Sequence, residues 1–159
     1  MRLDLHGEWV LKKGMSLHLI KLCVGADSIQ DLRDWVAERA LNAIAAGLEP
    51  HSVHTTRMVP KRIDELLENG SLYWVIKGQV MARQKLLKIE TVTGGDGIQR
   101  CQLFLGTEVI ETAPQPKRPF QGWRYLKHEE APRDLGNLGE DLTALPEELR
   151  RELAELGLL

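Results

Sequence analysis

Residues 15–24 place apolar side chains on both alternating faces, with His18, Ile20, Leu22 and Val24 on one and Leu17, Leu19 and Cys23 on the other. This is the pattern of a strand covered on both sides, so an interior strand is expected. Asp27-Ser28 then opens a helix whose apolar positions Ile29, Leu32, Val36, Ala40 and Ala43/Ile44 form one stripe, with Asp31 in the first turn and Gly47 as a stop. Residues 53–57 read as a short strand. Pro60 starts a second helix, 60–69, with Ile63, Leu66 and Leu67 inward and Gly70 closing it.

From Ser71 the period becomes two, giving one strand at 72–76 and a longer one at 79–93 with Gly78 between them. In the longer strand Val80 and Ala82 fall on even positions but Leu87, Ile89 and Thr91 on odd ones, which predicts a β-bulge near 83–86. Gly94-Gly95-Asp96-Gly97 forms a hairpin into 98–105, where Cys101, Leu103 and Leu105 share a face. Two more short strands are expected at 109–110 and 120–126, divided by an extended loop at Ala113-Pro114-Gln115-Pro116. Beyond His128, Gly, Pro and acids prevail until Leu142, Leu145, Leu149, Leu153 and Leu156 recur at helical spacing, with Pro146 at a helix start.

These elements predict an α+β fold: a small curled antiparallel or mixed β-barrel with two accompanying helices and a C-terminal helix. Residues 1–14 read as an N-terminal extension or misplaced start ahead of Met15, 15–127 as a single α+β domain, and 128–159 as an acidic tail carrying an amphipathic helix. The Leu142–Leu156 stripe needs a surface to cover it, either the domain itself, a second copy in a homodimer, or an assembly partner.

Composition narrows the class. With 43% hydrophobic and 28% charged residues in 159, the chain matches ordinary globular proteins and neither disordered nor fibrous ones. No apolar run approaches the roughly 18 residues a membrane helix needs, and the short interrupted run after Lys12-Lys13 lacks the features of a signal peptide. Cys23 and Cys101 show no metal or disulfide spacing, so buried free thiols and a cytoplasmic location are expected.

The net charge of −2 conceals a gradient. Residues 55–127 carry twelve Lys/Arg against seven Asp/Glu, whereas 128–159 carry three against nine. A basic body favours anionic partners such as nucleic acid or phosphate-bearing ligands.

Three constellations concentrate this chemistry. Arg57, Lys61 and Arg62 surround the start of the 60–69 helix, where acids would ordinarily match the dipole; a bound phosphate would explain the inversion, as would outward pairing with acids such as Asp64. Lys77, Arg83 and Lys85 flank the expected bulge beside Tyr73 and Trp74, aromatic faces that could stack on bases or pack in the core. Lys117-Arg118-Pro119-Phe120-Gln121-Gly122-Trp123-Arg124-Tyr125 could form a pocket wall, with Gln121 reading a base edge and Trp123 and Tyr125 on one face, or an aromatic edge strand. No hydrolase, zincin, P-loop or dinucleotide motif occurs, and His51 and His54 have no partner at metal-ligand spacing, so neither a metal nor a cofactor is expected. Thr55, Lys61 and Glu65 offer an alternative enzymatic arrangement, a lysine activating a hydroxyl.

Leu17-His-Leu-Ile-Lys-Leu-Cys-Val-Gly25, Thr56-Arg-Met-Val-Pro-Lys-Arg62, Gly70-Ser-Leu-Tyr-Trp-Val-Ile-Lys-Gly78, Ala82-Arg-Gln84 and Phe120-Gln-Gly-Trp-Arg-Tyr-Leu126 resemble a family of small alphaproteobacterial proteins classed as a domain of unknown function. That likeness spans about residues 15–135 and implies no activity. The element order also resembles PUA-like barrels of the ASCH and EVE groups, which implies a cleft for RNA or a modified base among Arg57, Lys61, Arg62, Trp74, Lys77, Arg83 and Trp123. The expectation from sequence is therefore a non-catalytic module binding RNA or a modified base through Arg57, Lys61, Arg62, Lys77, Arg83, Gln121, Trp123 and Arg124. The alternatives are an enzyme acting on a nucleotide-like or modified-base substrate and an assembly or interaction protein using the C-terminal helix.

Overall fold

A computed structural model describes residues 2–3, 9–10, 16–135, 148, 151–152 and 155–156. Strands β1 (Arg2–Leu3) and β2 (Trp9–Val10) pair with each other. There follow β3 (Leu17–Leu22), α1 (Ile29–Ala45), β4 (Ser52–Thr56), α2 (Ile63–Leu67), β5 (Ser71–Ile76), β6 (Gln79–Thr93), β7 (Gln99–Leu105), β8 (Ile110–Pro116), β9 (Trp123–Lys127) and a 3₁₀ turn at His128–Glu130. Among the described residues no helix is long and apolar enough to cross a membrane.

The fold is α+β, as the pattern predicts, but the sheet does not close into a barrel. Its seven strands run β4-β7-β6-β5-β3-β9, with β8 also paired to β6, and the outer strands β4 and β9 do not meet. The long β6 pairs through its first half with β5 and β8 and through its second half with β7, and the sheet curves about it far enough to bring His54 of β4 edge-on to Trp74 of β5, with ring centroids 5.1 Å apart, without β4 and β9 pairing. Every pairing is antiparallel except that of the central β3 with β5. Ala113–Pro116, expected as a loop, belongs to β8; an edge position tolerates prolines, which have no N–H to donate to a second neighbour.

Both faces of the central strands are buried, as the two-sided apolar run of β3 requires. One face, with Leu17, Leu19, Leu72, Trp74, Ala82, Leu86 and Trp123, forms the larger core with Ile29, Leu32 and Val36 of α1 and Leu66 of α2. The other carries a smaller cluster of Ile20, Tyr73, Val75, Val80, Phe120 and Leu126. Helix α1 follows its sequence signals closely: the Ser28 hydroxyl accepts from the Asp31 N–H at 3.3 Å, and Ile29, Leu32, Val36 and Ala43 of the predicted stripe are buried, whereas Ala40 is half-buried and Ile44 exposed. Cys23 and Cys101 are buried free thiols.

Two junctions depend on glycine or a left-handed turn. A Cβ on Gly70 would lie 2.1 Å from the Leu66 carbonyl oxygen and 2.5 Å from that of Leu17, so only glycine lets α2, β3 and β5 meet there. Lys77 and Gly78, with φ of 49° and 79°, make the tight turn between β5 and β6.

Two departures from expectation concern the basic segment. Helix α2 begins at Ile63, with Asp64 and Glu65 in its first turn, so the dipole is matched in the ordinary way. Lys61 and Arg62 precede it because the Tyr125 hydroxyl accepts from both their backbone N–H groups, at 2.9 and 3.2 Å, and holds them outside the helix. The phase of β6 slips twice, at Val80/Ala82 and again at Leu86/Lys88, on either side of the expected position. Leu142, Leu145, Leu149 and Leu153 lie outside the described residues, and with them the proposed dimer stripe; Leu156 is exposed.

Buried Gln84 ties two parts of the large core together: its Oε1 accepts from Trp74 Nε1–H at 2.9 Å and its amide donates to the Gly106 carbonyl at 2.8 Å. Replacing it with leucine keeps the volume but strands both partners. Gln84→Leu is expected to lower the urea-unfolding free energy by about 2 kcal/mol or more, with the m-value unchanged.

Candidate functional site

A histidine in a doubly buried strand must find hydrogen-bond partners, because an unpaired polar group there is costly. His18, only 3% exposed, finds one at each ring nitrogen. Nδ1 accepts the backbone N–H of Ser71 at 3.0 Å across the parallel β3–β5 pairing. Since Nδ1 must be unprotonated to accept, the ring hydrogen sits on Nε2, which donates to Nδ1 of His128 at 3.0 Å. His128 then carries its own hydrogen on Nε2 and turns that edge outward. Burial lowers the His18 pKa to about 4, with the charges of His128 and Arg83 acting in the same direction, so the ring is held neutral.

Ser71 also joins this pair to an ion pair. Its hydroxyl accepts from Arg83 Nη1 at 2.8 Å, while Arg83 grips Asp134 through Nε and Nη2 at 2.8 and 2.7 Å. The guanidinium holds the Asp134 carboxyl below the usual carboxylate range, its hydrogen bonds outweighing partial burial. The shift at Val80/Ala82 makes this possible. Val80 belongs to the smaller cluster and Ala82 to the larger one, so the extra residue between them reverses the alternation and turns Arg83 toward His18 and Ser71. Residues 133–135 pair along β8 through Ala113 N–H to Arg133 O and Leu135 N–H to Glu111 O, which fixes Asp134 opposite Thr112.

Between these groups lies a cavity of about 290 Å³, lined by His18, Asn69, Tyr73, Arg83, His128 and the 131–134 segment. Tyr73 is 3% exposed, stands edge-on to His18 with ring centroids 5.0 Å apart, and has no hydrogen-bond partner for its hydroxyl among the described residues. Asn69 adopts φ of 95°, a conformation asparagine tolerates better than most residues, which brings it to the cavity rim beside Gly70. Ala131 and Pro132 supply an apolar wall. The cavity therefore offers mixed donors and acceptors against one apolar side, and its one full ion pair is internally neutralised.

The eight residues expected from sequence do not converge. Arg83 enters this site. Arg124 lies on the same sheet face, in register with Ile20, its guanidinium 4.8 Å from the Phe120 ring centroid, and Lys117 approaches that ring from 6.0 Å. On the opposite face Trp123 is buried and donates to the Met58 carbonyl at 2.7 Å, while Arg62 stacks over Tyr125 and pairs with Glu65. Trp123 and Tyr125 share a face as expected, their rings 5.0 Å apart. Lys77 pairs with Asp27 at 3.4 Å, and Arg57, Lys61 and Gln121 are exposed. Trp74 is core. Thr55, Lys61 and Glu65 are exposed, with Glu65 taken by Arg62, and none lines this cavity. Sequence reasoning missed His18, Ser71, Tyr73 as a pocket group, His128 and Asp134. The available signal was His18 itself, a titratable side chain in a strand with no exposed face.

Among the described residues no group of three or more His, Cys, Asp or Glu could hold a metal ion. His51 Nδ1–H donates to the Glu49 carbonyl at 2.7 Å, and His54 stacks edge-on to Trp74, its pKa lowered by burial to about 4.

Buried His18 and half-buried His54 set a pH response. Unfolded, each binds a proton near pH 6.5; folded, each resists until about pH 4. Their contribution is therefore complete above pH 6.5 and is lost as the pH falls toward 4, by about 3 kcal/mol each at most. Urea unfolding at pH 7.5, 5.5 and 4.5 should show this decline, and His18→Gln should flatten it by about half, leaving the part due to His54.

The sequence profile of a family described as "Protein of unknown function (DUF1489)" matches residues 19–159. That span continues through the tail, beyond the limit near 135 expected from sequence motifs. No curated protein and no solved structure matches the chain. The match takes in the paired histidines at 18 and 128 only in part, beginning one residue after the first, but covers Ser71, Tyr73, Arg83 and Asp134. The chain belongs to the DUF1489 family of proteins of unknown function.

Proposed function

We propose that this protein is a non-catalytic recognition module that takes a flat, polar, base-like group in the cavity between His128, Tyr73 and Asp134, with RNA or a modified base as the ligand class. The observation that carries this reading is Tyr73, a residue only 3% exposed that lines the cavity and whose hydroxyl has no hydrogen-bond partner among the described residues. The polar end of a buried side chain is ordinarily paired, so a hydroxyl left open on a cavity-lining residue is suited to a ligand. The Asn69 amide and the outward edge of His128 add the mixture of donors and acceptors that a base edge requires, and Ala131 and Pro132 give its face an apolar surface. Arg133 at the cavity, with Arg124 and Lys117 on the same sheet face, supplies cations for backbone phosphates. The ligand class agrees with the PUA-like resemblance, but the proposal stands on the cavity.

A second reading follows from the His18–His128 hydrogen bond. A buried neutral imidazole that fixes the tautomer of an exposed one turns the His128 Nε2–H outward as an oriented donor, the arrangement of a neutral imidazole that polarises a substrate oxygen, and would make the protein an enzyme on a nucleotide-like substrate.

The test is binding of a fluorescein-labelled single-stranded RNA decamer at 50 and 200 mM salt. Affinity should fall as salt rises, and Tyr73→Phe should weaken binding roughly tenfold while leaving thermal stability unchanged. Absence of binding at low salt, or a Tyr73→Phe protein that binds like wild type, would overturn the reading. Mass spectrometry of RNA and nucleoside monophosphates after incubation separates the two readings: a product formed by wild type and lost in His128→Gln establishes the enzyme.

A further inference from the structure

A second cavity, of about 100 Å³, lies on the helix-covered face near the carboxyl ends of β3 and β5, with Lys21, Cys23, Trp35, Arg39, His54 and Trp74 in its lining. It shares Trp35 and Arg39 with a wider depression of about 460 Å³ that reaches Glu38 and Asn42. Where parallel strands are joined through a helix, a crevice forms outside their carboxyl ends, and this is a common ligand position. The His18 cavity lies toward the opposite ends of the same two strands and on the other sheet face, so the two sites are separate.

Folding alone leaves three of these groups unexplained. His54 Nε2 is buried without a hydrogen-bond partner. Lys21 is half-buried in a row between Trp123 and Trp74, its register neighbours on β9 and β5, and has no carboxylate partner among the described residues. Arg39 has none either. Both cations act electrostatically on His54 and on Cys23, so their charge converges on the cavity. Of the acids nearby, Asp31 is engaged at the start of α1, where it accepts the Asp27 N–H at 2.9 Å, and Glu38 lines only the outer depression. Burial raises the Cys23 thiol to about 11, which keeps it protonated and makes the cavity a place of recognition with no nucleophile.

We propose that this cavity binds a small flat organic carboxylate, aromatic or conjugated. The carboxylate takes the positive field of Lys21 and Arg39, while the body fills the slot walled by Trp35, Trp74 and the His54 ring. The inner cavity of about 100 Å³ is smaller than the roughly 150 Å³ that takes benzene, so a single ring would occupy it together with the wider depression that shares Trp35 and Arg39. The aromatic walls favour a π-face over a branched aliphatic group, and the buried His54 nitrogen offers one further polar contact once water is displaced.

Benzoate is the probe, with neutral benzamide and inorganic phosphate as controls, followed by calorimetry and by the fluorescence of the indoles. Benzoate is expected to bind saturably, with benzamide and phosphate each at least tenfold weaker. Arg39→Gln, at an exposed helical position that leaves the fold intact, should weaken benzoate roughly tenfold, as should Lys21→Met if its circular dichroism and melting match wild type. Tyr73→Phe should bind benzoate normally. The inference is overturned if benzoate does not bind, if benzamide or phosphate binds as well as benzoate, if Arg39→Gln binds unchanged, or if Tyr73→Phe abolishes binding and thereby assigns it to the other cavity.

Discussion

The backbone approach at Gly70 is the constraint on which much of the molecule rests. With the carbonyl oxygens of Leu66 and Leu17 where a side chain would begin, Gly70 brings the end of α2 onto the start of β3, and its own carbonyl accepts the Leu86 N–H of β6. Four elements are thereby fixed at one residue. The next residue, Ser71, enters the sheet with its N–H aimed at His18 and its hydroxyl at Arg83. The polar cluster is thus a consequence of the same close approach that sets the parallel pairing of β3 and β5. A larger residue at 70 would move the cluster and the pairing together.

A sheet buried on both faces has no free side for a binding surface, and the protein uses two interruptions to make room. At one end of β3 and β5 the smaller core gives way to the His18–Ser71–Arg83–Asp134 network, closed by the segment after β9. At the other end, on the opposite face, the larger core gives way to a slot between two indoles with Lys21 at its side. In each case a titratable group stands where an apolar one would pack better. At the first end the polar groups satisfy each other, apart from the Tyr73 hydroxyl, and this limits what a ligand must supply. At the second, the cations and the His54 nitrogen are left to be satisfied from outside.

The basic segment 55–127 acquires a different meaning in three dimensions. Its cations alternate between sheet faces and turns, so a charge excess that is continuous in sequence is divided in space. Arg62 stacks on Tyr125 and pairs with Glu65, Lys77 answers Asp27, and Arg83 answers an acid drawn from the tail. The acidic tail is likewise not wholly apart from the basic body, because Asp134 enters the site that Arg83 defines. Exposed pairs of this kind add little to stability, whereas the half-buried fork between Arg83 and Asp134 determines which way the 131–135 segment lies.

The sequence by itself determined most of the elements, the length of β8 and the start of α2 excepted. Two-sided apolarity in β3, the capped stripe of α1, the turn at Gly78, the continuous apolar run of β5 and the alternation of β7 are local signals, written in residues close enough together to be read from the chain. It also determined that Arg83 would stand beside an irregularity in β6. The tertiary structure alone decided the rest: that the sheet stays open along the long β6, that α2 starts after Lys61 and Arg62 because a tyrosine 63 residues away holds their N–H groups, and that His18 meets His128 across 110 residues. These are contacts between distant segments, and a bulge of one residue reverses which face a side chain joins. No periodicity carries that information, because the partner of a buried polar group is chosen by the fold and not by its neighbours in the chain.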